Sequence, residues 1–361
     1  MRLHVDIEKN LQSFRLKVSF DTDGEVFAVL GASGCGKSMT LKCIAGIERP
    51  DRGVITLGER VLFDSSSGID LPPQKRRIGY LFQDYALFPH MTVLENISCG
   101  SKEKAAEYIR RFYLNGKEDL LPHQLSGGEK QRTAIARMLA SEPELVMLDE
   151  PLSALDGYLK SNMEEELACV IDDFGGQALL VSHDREEIYR LADRIAVLDQ
   201  GQVTCVQEKK ELFSSPASMA AARLTGCENV SSLSKDGAGG MIAQAWGIRL
   251  PYAMNTKGVK PEHCFGQMPK HVAFRARDVL IIQGCEVESK ARCPEDMVLL
   301  CPAKPENIRI IEDMGGLIAR VQTPGGGYIS CMLPKEEKDR IYARRGMYFA
   351  VPCFKLMFFD H

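Results

Sequence analysis

The chain has 361 residues and no apolar run approaching the ~18 that a membrane span requires. Its opening, MRLHVDIEKN, lacks the apolar core of a signal peptide, so a cytoplasmic location is expected. Its twelve cysteines include no C-x-x-C pair, which predicts reduced, mostly buried thiols rather than a disulfide or zinc framework. The even spacing of Cys285, Cys293 and Cys301 supplies no zinc-ligand pair either. A charge excess is missing too. The formal net charge is −4, and no Lys/Arg block interleaves with aromatics, so nucleic acid is excluded as a partner. There is no strict internal repeat and no low-complexity linker; the length alone implies two domains or more.

What is present changes character near residue 215. Before it, apolar runs (VFAVLG, LVMLDE, ALLVSHD, RIAVLDQG) alternate with helical patterns such as SMTLKCIAG and EKQRTAIARMLASEP, the alternation that a parallel α/β sheet demands. After LFSSPASMAAARLTG come short β-rich runs (HVAFRARDVLII, MVLLCP, NIRII, LIARVQT, YISCML, MYFAVPCFKLMFF) broken by Gly, Pro and charged turns, which predict a small barrel. The expected domains are residues 1–215, with 84–124 as a helical subdomain, and 216–361.

Gly31-Ala32-Ser33-Gly34-Cys35-Gly36-Lys37-Ser38 lies between a predicted strand and a predicted helix and fits G-x-x-x-x-G-K-[ST], a Walker A loop. Its glycines let backbone N–H groups turn inward on phosphate oxygens. The helix starting near Lys37 adds its positive dipole end, and Lys37 adds a point charge. Ser38 is a candidate Mg²⁺ ligand. Cys35, at a helix N-terminus, is expected to have a lowered thiol pKa. The strand LVMLDEP ends on Asp149 and Glu150, which assigns the metal to Asp149 and the general-base role to Glu150. In HQLSGGEKQRTAIARML, Ser126, Gly127, Gly128 and Glu129 open a second helix with an anion-seeking N-terminus. Lys37 already fills the first cradle, so the economical arrangement is a two-fold dimer in which these residues close on the nucleotide of the other copy.

The set GASGCGKS, Gln83 within YLFQDYALFPHMTVLENI, LSGGEKQR, VMLDEP, LSALD and LLVSHD, in that order and spacing, resembles the ATP-binding subunit of ABC transporters over residues 1–215. The resemblance implies an α/β P-loop ATPase domain with a RecA-like core and a helical subdomain, and ATP and Mg²⁺ as its cofactors. It makes Gln83 a metal contact that reaches toward the membrane subunits, places Asp156 at the dimer seam, and sets His183 beside Glu150 as a catalytic residue against the γ-phosphate. Met39 stands where the family usually has Thr, which removes a hydroxyl from the nucleotide-binding set. Phe14 is the candidate for the aromatic on which the family stacks adenine; core packing is its alternative role. Tyr85, Leu87, Phe88 and Pro89 form an apolar group just after Gln83, where the family receives a helix of a transmembrane permease subunit.

The resemblance extends to the β-rich tail, since importer subunits of this family often carry a regulatory oligonucleotide-binding-like (TOBE) barrel that exporter domains usually lack. AARLTGCENV, VAFRARDVLII and SFRLKVSF resemble segments of molybdate importers. The resemblance therefore implies ATP-driven molybdate or tungstate uptake by a homodimer at the cytoplasmic face of the membrane, served indirectly by an external solute-binding protein. Import of sulfate, polyamine, iron or sugar is the alternative. A soluble ABC ATPase of DNA repair or translation is disfavoured, since those carry coiled-coil insertions or tandem cassettes. In the tail, TPGGGYIS at 323–330 offers either a backbone anion nest for a sensed oxyanion, with Thr323 and Ser330 as hydroxyl donors, or a plain hairpin turn.

Overall fold

The computed structural model describes residues 2–153, 157–174, 177–235, 241–250, 269–283, 297–302, 304–313, 316–334 and 347–359. The chain divides into two compact units, Met1–Leu212 and Phe213–His361.

The strands of the first unit are β1 (Arg2–Asn10), β2 (Arg15–Asp23), β3 (Val26–Leu30), β4 (Arg52–Leu57), β5 (Arg60–Asp64), β6 (Ile69–Asp70), β7 (Ile78–Leu81), β8 (Leu145–Asp149), β9 (Gln177–Ser182), β10 (Arg194–Asp199) and β11 (Gln202–Glu208). Its helices are α1 (Lys37–Ala45), α2 (Pro73–Arg76), α3 (Val93–Ser98), α4 (Ala105–Arg111), α5 (Gly127–Ala140), α6 (Gly157–Phe174) and α7 (Arg185–Leu191). Among the described residues, all eleven strands join one sheet in the order β6-β5-β4-β1-β2-β11-β10-β3-β9-β8-β7.

The half β10-β3-β9-β8-β7 is parallel, as the strand–helix alternation predicts. The other half corrects the expectation of a purely parallel sheet, because β1 pairs antiparallel with β2 and β4, β4 with β5, and β5 with β6. The burial pattern gives the reason. β8 and β9 are buried along their whole length, as strands covered on both faces must be. In β1 and β2 only alternate residues are buried, Leu3, Val5 and Ile7 against Leu16, Val18 and Phe20, which is the signature of a sheet with one wet face.

Helix α1 packs on β8 and β9, α7 packs on β3 and β9, and α3, α4 and α5 pack on one another. The buried Arg76 guanidinium fixes the far end of α1 by donating to Cys43 O (3.0 Å) and Ile44 O (2.7 Å), a cation on the negative end of the helix dipole. The parallel strands β3, β7, β8 and β9 all end on one edge of the sheet, so the chain after Leu30, Leu81, Asp149 and Ser182 emerges on the side where open α/β sheets bind ligands.

Among its described residues the second unit is all-β apart from short helices. Helix α8 (Lys209–Ser214) runs across the division, and α9 (Met219–Leu224) opens the second unit. They precede β12 (Asn229–Lys235), β13 (Met241–Ala243), β14 (Ile248–Leu250), β15 (His271–Phe274), β16 (Leu280–Gln283), β17 (Met297–Pro302), β18 (Ile308–Asp313), β19 (Gly316–Gln322), β20 (Tyr328–Leu333), β21 (Met347–Pro352) and β22 (Met357–Phe359). Among the described residues, antiparallel pairing gives three sheets, β14-β13-β12-β15-β22, β16-β21-β17 and β18-β19-β20, around one core that includes Trp246, Phe274, Phe349 and Val351. Asn229 joins two of the sheets, its amide donating to Ser330 O (2.8 Å) and accepting from Ser330 N (2.7 Å).

Cys43, Cys227, Cys301 and Cys331 are buried free thiols, and burial pushes each of them up, to about 11 for Cys227 and about 12 for the other three. Cys285 and Cys293 lie outside the described residues.

Candidate functional site

The loop from Gly31 to Gly36 joins β3 to α1. All three of its glycines are required by geometry, Gly34 because its φ of 80° lies in the left-handed region. A Cβ on Gly31 would come within 2.5 Å of both Cys35 Sγ and the Leu198 carbonyl oxygen. Gly36 has φ 110° at the start of the helix, a region that L side chains rarely adopt. Ala32, Ser33 and Gly34 form the exposed rim. Beneath them the buried Cys35 thiol is pushed up by burial, which outweighs the nearby Lys37 charge. The expectation of a thiol activated by the helix end is thereby corrected: desolvation of the thiolate wins. Met39 is half-buried against the core, and Thr40 Oγ1 donates to Gly36 O (3.0 Å). Phe14 is half-buried on the same core with its ring edge beneath Gly36 and Gly201.

Six side chains meet at the strand ends. The Lys37 ammonium, 4% exposed, donates to Gly31 O (2.9 Å) and Ala32 O (3.0 Å) and stands 3.7 Å from Glu150 Oε1. Ser38 Oγ donates to Asp149 Oδ1 (2.8 Å), joining the first turn of α1 to the end of β8. Glu150 Oε2 faces His183 Nδ1 (3.2 Å) and the Gln83 amide nitrogen (3.5 Å), and Gln83 also reaches Ser153 Oγ (3.4 Å). Glu150 has φ 47°, a left-handed conformation that costs a non-glycine residue about 1 kcal/mol. Its N–H donates to Val181 O (2.9 Å), and Ser153 Oγ donates to its carbonyl (2.9 Å). Backbone strain held in place by surrounding bonds, at the residue with the most polar neighbours here, is characteristic of a functional turn.

His183 projects from a braced loop. Ser182 Oγ donates to the buried Glu187 carboxylate (2.6 Å) and accepts from Asp184 N (2.9 Å), while Asp184 caps α7 and pairs with Lys160. Tyr80 is a residue that sequence reasoning missed. Its hydroxyl donates to Asp149 Oδ2 (2.8 Å), and the one available signal was its position three residues before Gln83 at the end of the same strand.

The arrangement fits Mg²⁺, since a buried carboxylate and a hydroxyl 2.8 Å apart are hard oxygen donors. Among the described residues no cluster of three or more His, Cys, Asp or Glu could hold a metal unaided. Such a partial site matches an ion that reluctantly sheds water and takes its remaining ligands from a bound phosphate.

Ser126, Gly127, Gly128 and Glu129 lie at the start of α5. Ser126 and Glu129 form a reciprocal capping box, and the Ser126 backbone N–H holds the Glu129 carboxyl below its usual range. Among the described residues no hydrogen bond or ion pair links them to Lys37 or Glu150. Asp156 lies outside the described residues.

Of the apolar group after Gln83, Phe88 (42% exposed) and Pro89 face solvent, with Leu94 nearby in sequence at 39%. Tyr85 corrects the expectation: it is buried, with its hydroxyl toward Gln131 Oε1 (3.5 Å). It packs inward because Tyr85 and Ala86 are both left-handed (φ 62° and 42°), a bend held by the Arg137 guanidinium on their two carbonyls (2.9 and 2.8 Å).

The anion nest in TPGGGYIS is overturned. The N–H groups of Gly325, Gly326 and Gly327 donate to Trp246 O (3.0 Å), Thr323 O (2.9 Å) and Ala245 O (3.0 Å), and Thr323 Oγ1 donates to Gly327 O (3.0 Å). The segment is a hairpin turn packed on the 244–247 chain, with its backbone donors already paired.

A family model described as ABC transporter matches residues 15–153. The molybdate/tungstate import ATP-binding protein WtpC of Pyrococcus horikoshii is 35% identical over 353 residues, covering 94% of this chain and 94% of that protein. The chain belongs to the ABC transporter family. It is also 41% identical over 228 residues to the Fe(3+) ions import ATP-binding protein FbpC of Haemophilus influenzae, and 41% identical over 222 residues to the molybdenum import ATP-binding protein ModC of Paramagnetospirillum magneticum. Those matches take in 60% and 59% of this chain but span 64% and 61% of the two relatives.

Proposed function

We propose that this chain is the ATP-hydrolysing subunit of an importer for molybdate or tungstate. The observation that carries the ATPase reading is the convergence of Lys37, Ser38, Asp149, Glu150, Gln83 and His183 at the ends of four parallel strands. In this reading the rim from Gly31 to Met39 and the Lys37 ammonium bind the phosphates, and Phe14 borders the base. Ser38, Asp149 and Gln83 would hold Mg²⁺, which, when bound, neutralises charge on the transferring phosphoryl group. Glu150 Oε2 accepts the proton of the attacking water, and His183 and Gln83, both within 3.5 Å of that oxygen, orient the carboxylate and water.

In this reading the start of α5 at Ser126–Glu129 is a second phosphate-seeking helix end besides the Lys37 loop, and it and Asp156 complete the site of the partner in a two-fold dimer. Phe88, Pro89 and Leu94 are the surface offered to a permease helix, and the all-β unit is read as a TOBE barrel. Among the described residues no helix is long and apolar enough to cross a membrane; in this reading the permease holds the subunit at the cytoplasmic face.

The solute follows from likeness along nearly the whole chain to a molybdate/tungstate import protein. The test is ATP-dependent uptake by proteoliposomes holding the chain with its permease and binding protein. Uptake of labelled molybdate or tungstate is expected. Transport of iron(III), polyamine or sulfate instead would overturn the solute, and association with ribosomes or DNA without a membrane partner would overturn the class.

A further inference from the structure

The Asp149 carboxylate is 4% exposed and each of its oxygens accepts one hydroxyl, Ser38 on Oδ1 and Tyr80 on Oδ2, both at 2.8 Å. A carboxylate so far from water needs donors on both sides. The two donors differ in how they are held. Ser38 lies in the first turn of α1, beside the loop that takes the phosphates, and its hydroxyl is itself a candidate metal ligand. Tyr80 is on β7, which runs parallel to β8 with Tyr80 opposite Met147, two residues before Asp149. Its ring packs on the core and lies 4.3 Å from that of Phe82, tilted by 44°. The strand ladder and the ring contact therefore fix the Tyr80 hydroxyl in place.

We infer that Tyr80 is a positioning residue for the metal site: its hydroxyl pins Oδ2 and thereby sets the plane of the Asp149 carboxylate so that Oδ1 and the Ser38 oxygen face the cation together. Tyr80 touches neither nucleotide nor metal in this account. Its contribution is that Asp149 need not reorganise when the cation arrives, and it lies three residues before Gln83, so the same strand end supplies a metal contact and the support of another. The inference rests on the nucleotide-site reading above.

The test compares the full-length wild-type chain with Tyr80→Phe, which removes one oxygen and leaves the ring. Binding of a fluorescent ATP analogue in EDTA is expected to be unchanged within about twofold. Free Mn²⁺, followed by electron paramagnetic resonance at saturating ATP, should show the apparent metal Kd raised roughly tenfold in Tyr80→Phe, the scale of one hydrogen bond to a charged group. The same substitution in an Asp149→Asn background should add less than about twofold. An unchanged Mn²⁺ Kd in Tyr80→Phe, or an equal loss in the Asp149→Asn background, would overturn the inference: the first would leave Tyr80 a packing residue, and the second would show that it acts through another group. Failure of the wild type to bind the analogue in EDTA would instead strike the nucleotide-site reading beneath it.

Discussion

Two glycine-rich loops in this molecule look alike in composition and differ in what their backbones are free to do. In the loop after β3 the N–H groups of Ser33, Gly34 and Gly36 carry no hydrogen bond among the described residues, and a buried lysine and a helix N-terminus stand behind them. In the turn before β20 all three glycine N–H groups are bonded to carbonyls, two of them in the 245–246 segment. A glycine run is thus an anion site only when its donors are unclaimed and a positive group backs them.

The comparison can be broken by substitution. The largest effect is expected from Lys37→Ala, which removes the buried cation behind the first loop and should weaken ATP binding by on the order of 10² or more, two or more charge-assisted hydrogen bonds being lost. Its counterpart, Gly326→Ala, is expected to cost about 1 kcal/mol, since Gly326 has φ 83° with open space around its Cβ position, and to leave ATP binding unchanged. Equilibrium denaturation and nucleotide titration on both variants check the pair. Weakened ATP binding in Gly326→Ala would erase the distinction between the loops.

A separate effect, on stability rather than binding, comes from the loop behind His183. Burial pushes Glu187 up to about 7, reinforced by Asp184 and Glu164 and opposed by the Ser182 hydroxyl and Lys160; Lys160 is paired with Asp184, and Glu164 with Arg190. The folded state holds a proton there that the unfolded state, near 4.5, has released. Stability is therefore full below the unfolded value and falls as pH rises toward about 7, by about 3 kcal/mol at ~1.4 kcal/mol per unit. Glu187→Gln lacks this slope, so its stability relative to wild type should rise by about that amount between pH 4.5 and pH 8. Denaturant titrations of both proteins at the two pH values measure it, and a constant difference would place the proton elsewhere.

How much of this was legible in the sequence follows from which partners lie close along the chain. β3, β8, β9 and β10 read directly as apolar runs, and Lys37, Asp149, Glu150 and His183 each sit at the end of a contiguous pattern. The antiparallel pairing of β1 with β4 depends on residues some fifty apart, and the local alternation in β1 does not name the neighbour. Tyr80 looked like one more β-former in IGYL, because the Asp149 oxygen it meets is 69 positions away. The turn at 323–327 resembled a nest because the carbonyls of Ala245 and Trp246, which take its donors, come from a distant hairpin. Cys35 shows the same limit in chemistry: the helix end is visible in sequence, but the burial that outweighs it is not.

We propose that Glu150, held in a left-handed turn between Lys37, Gln83 and His183, removes the proton from the attacking water while other groups bind the phosphates. The most direct measurement is ATP turnover of Glu150→Gln alongside nucleotide binding and sedimentation of the same preparation. The account predicts turnover lowered ~10²-fold or more, the usual scale for a general base, with ATP retained and an ATP-bound dimer accumulating. Near-normal hydrolysis by a folded Glu150→Gln protein would contradict it.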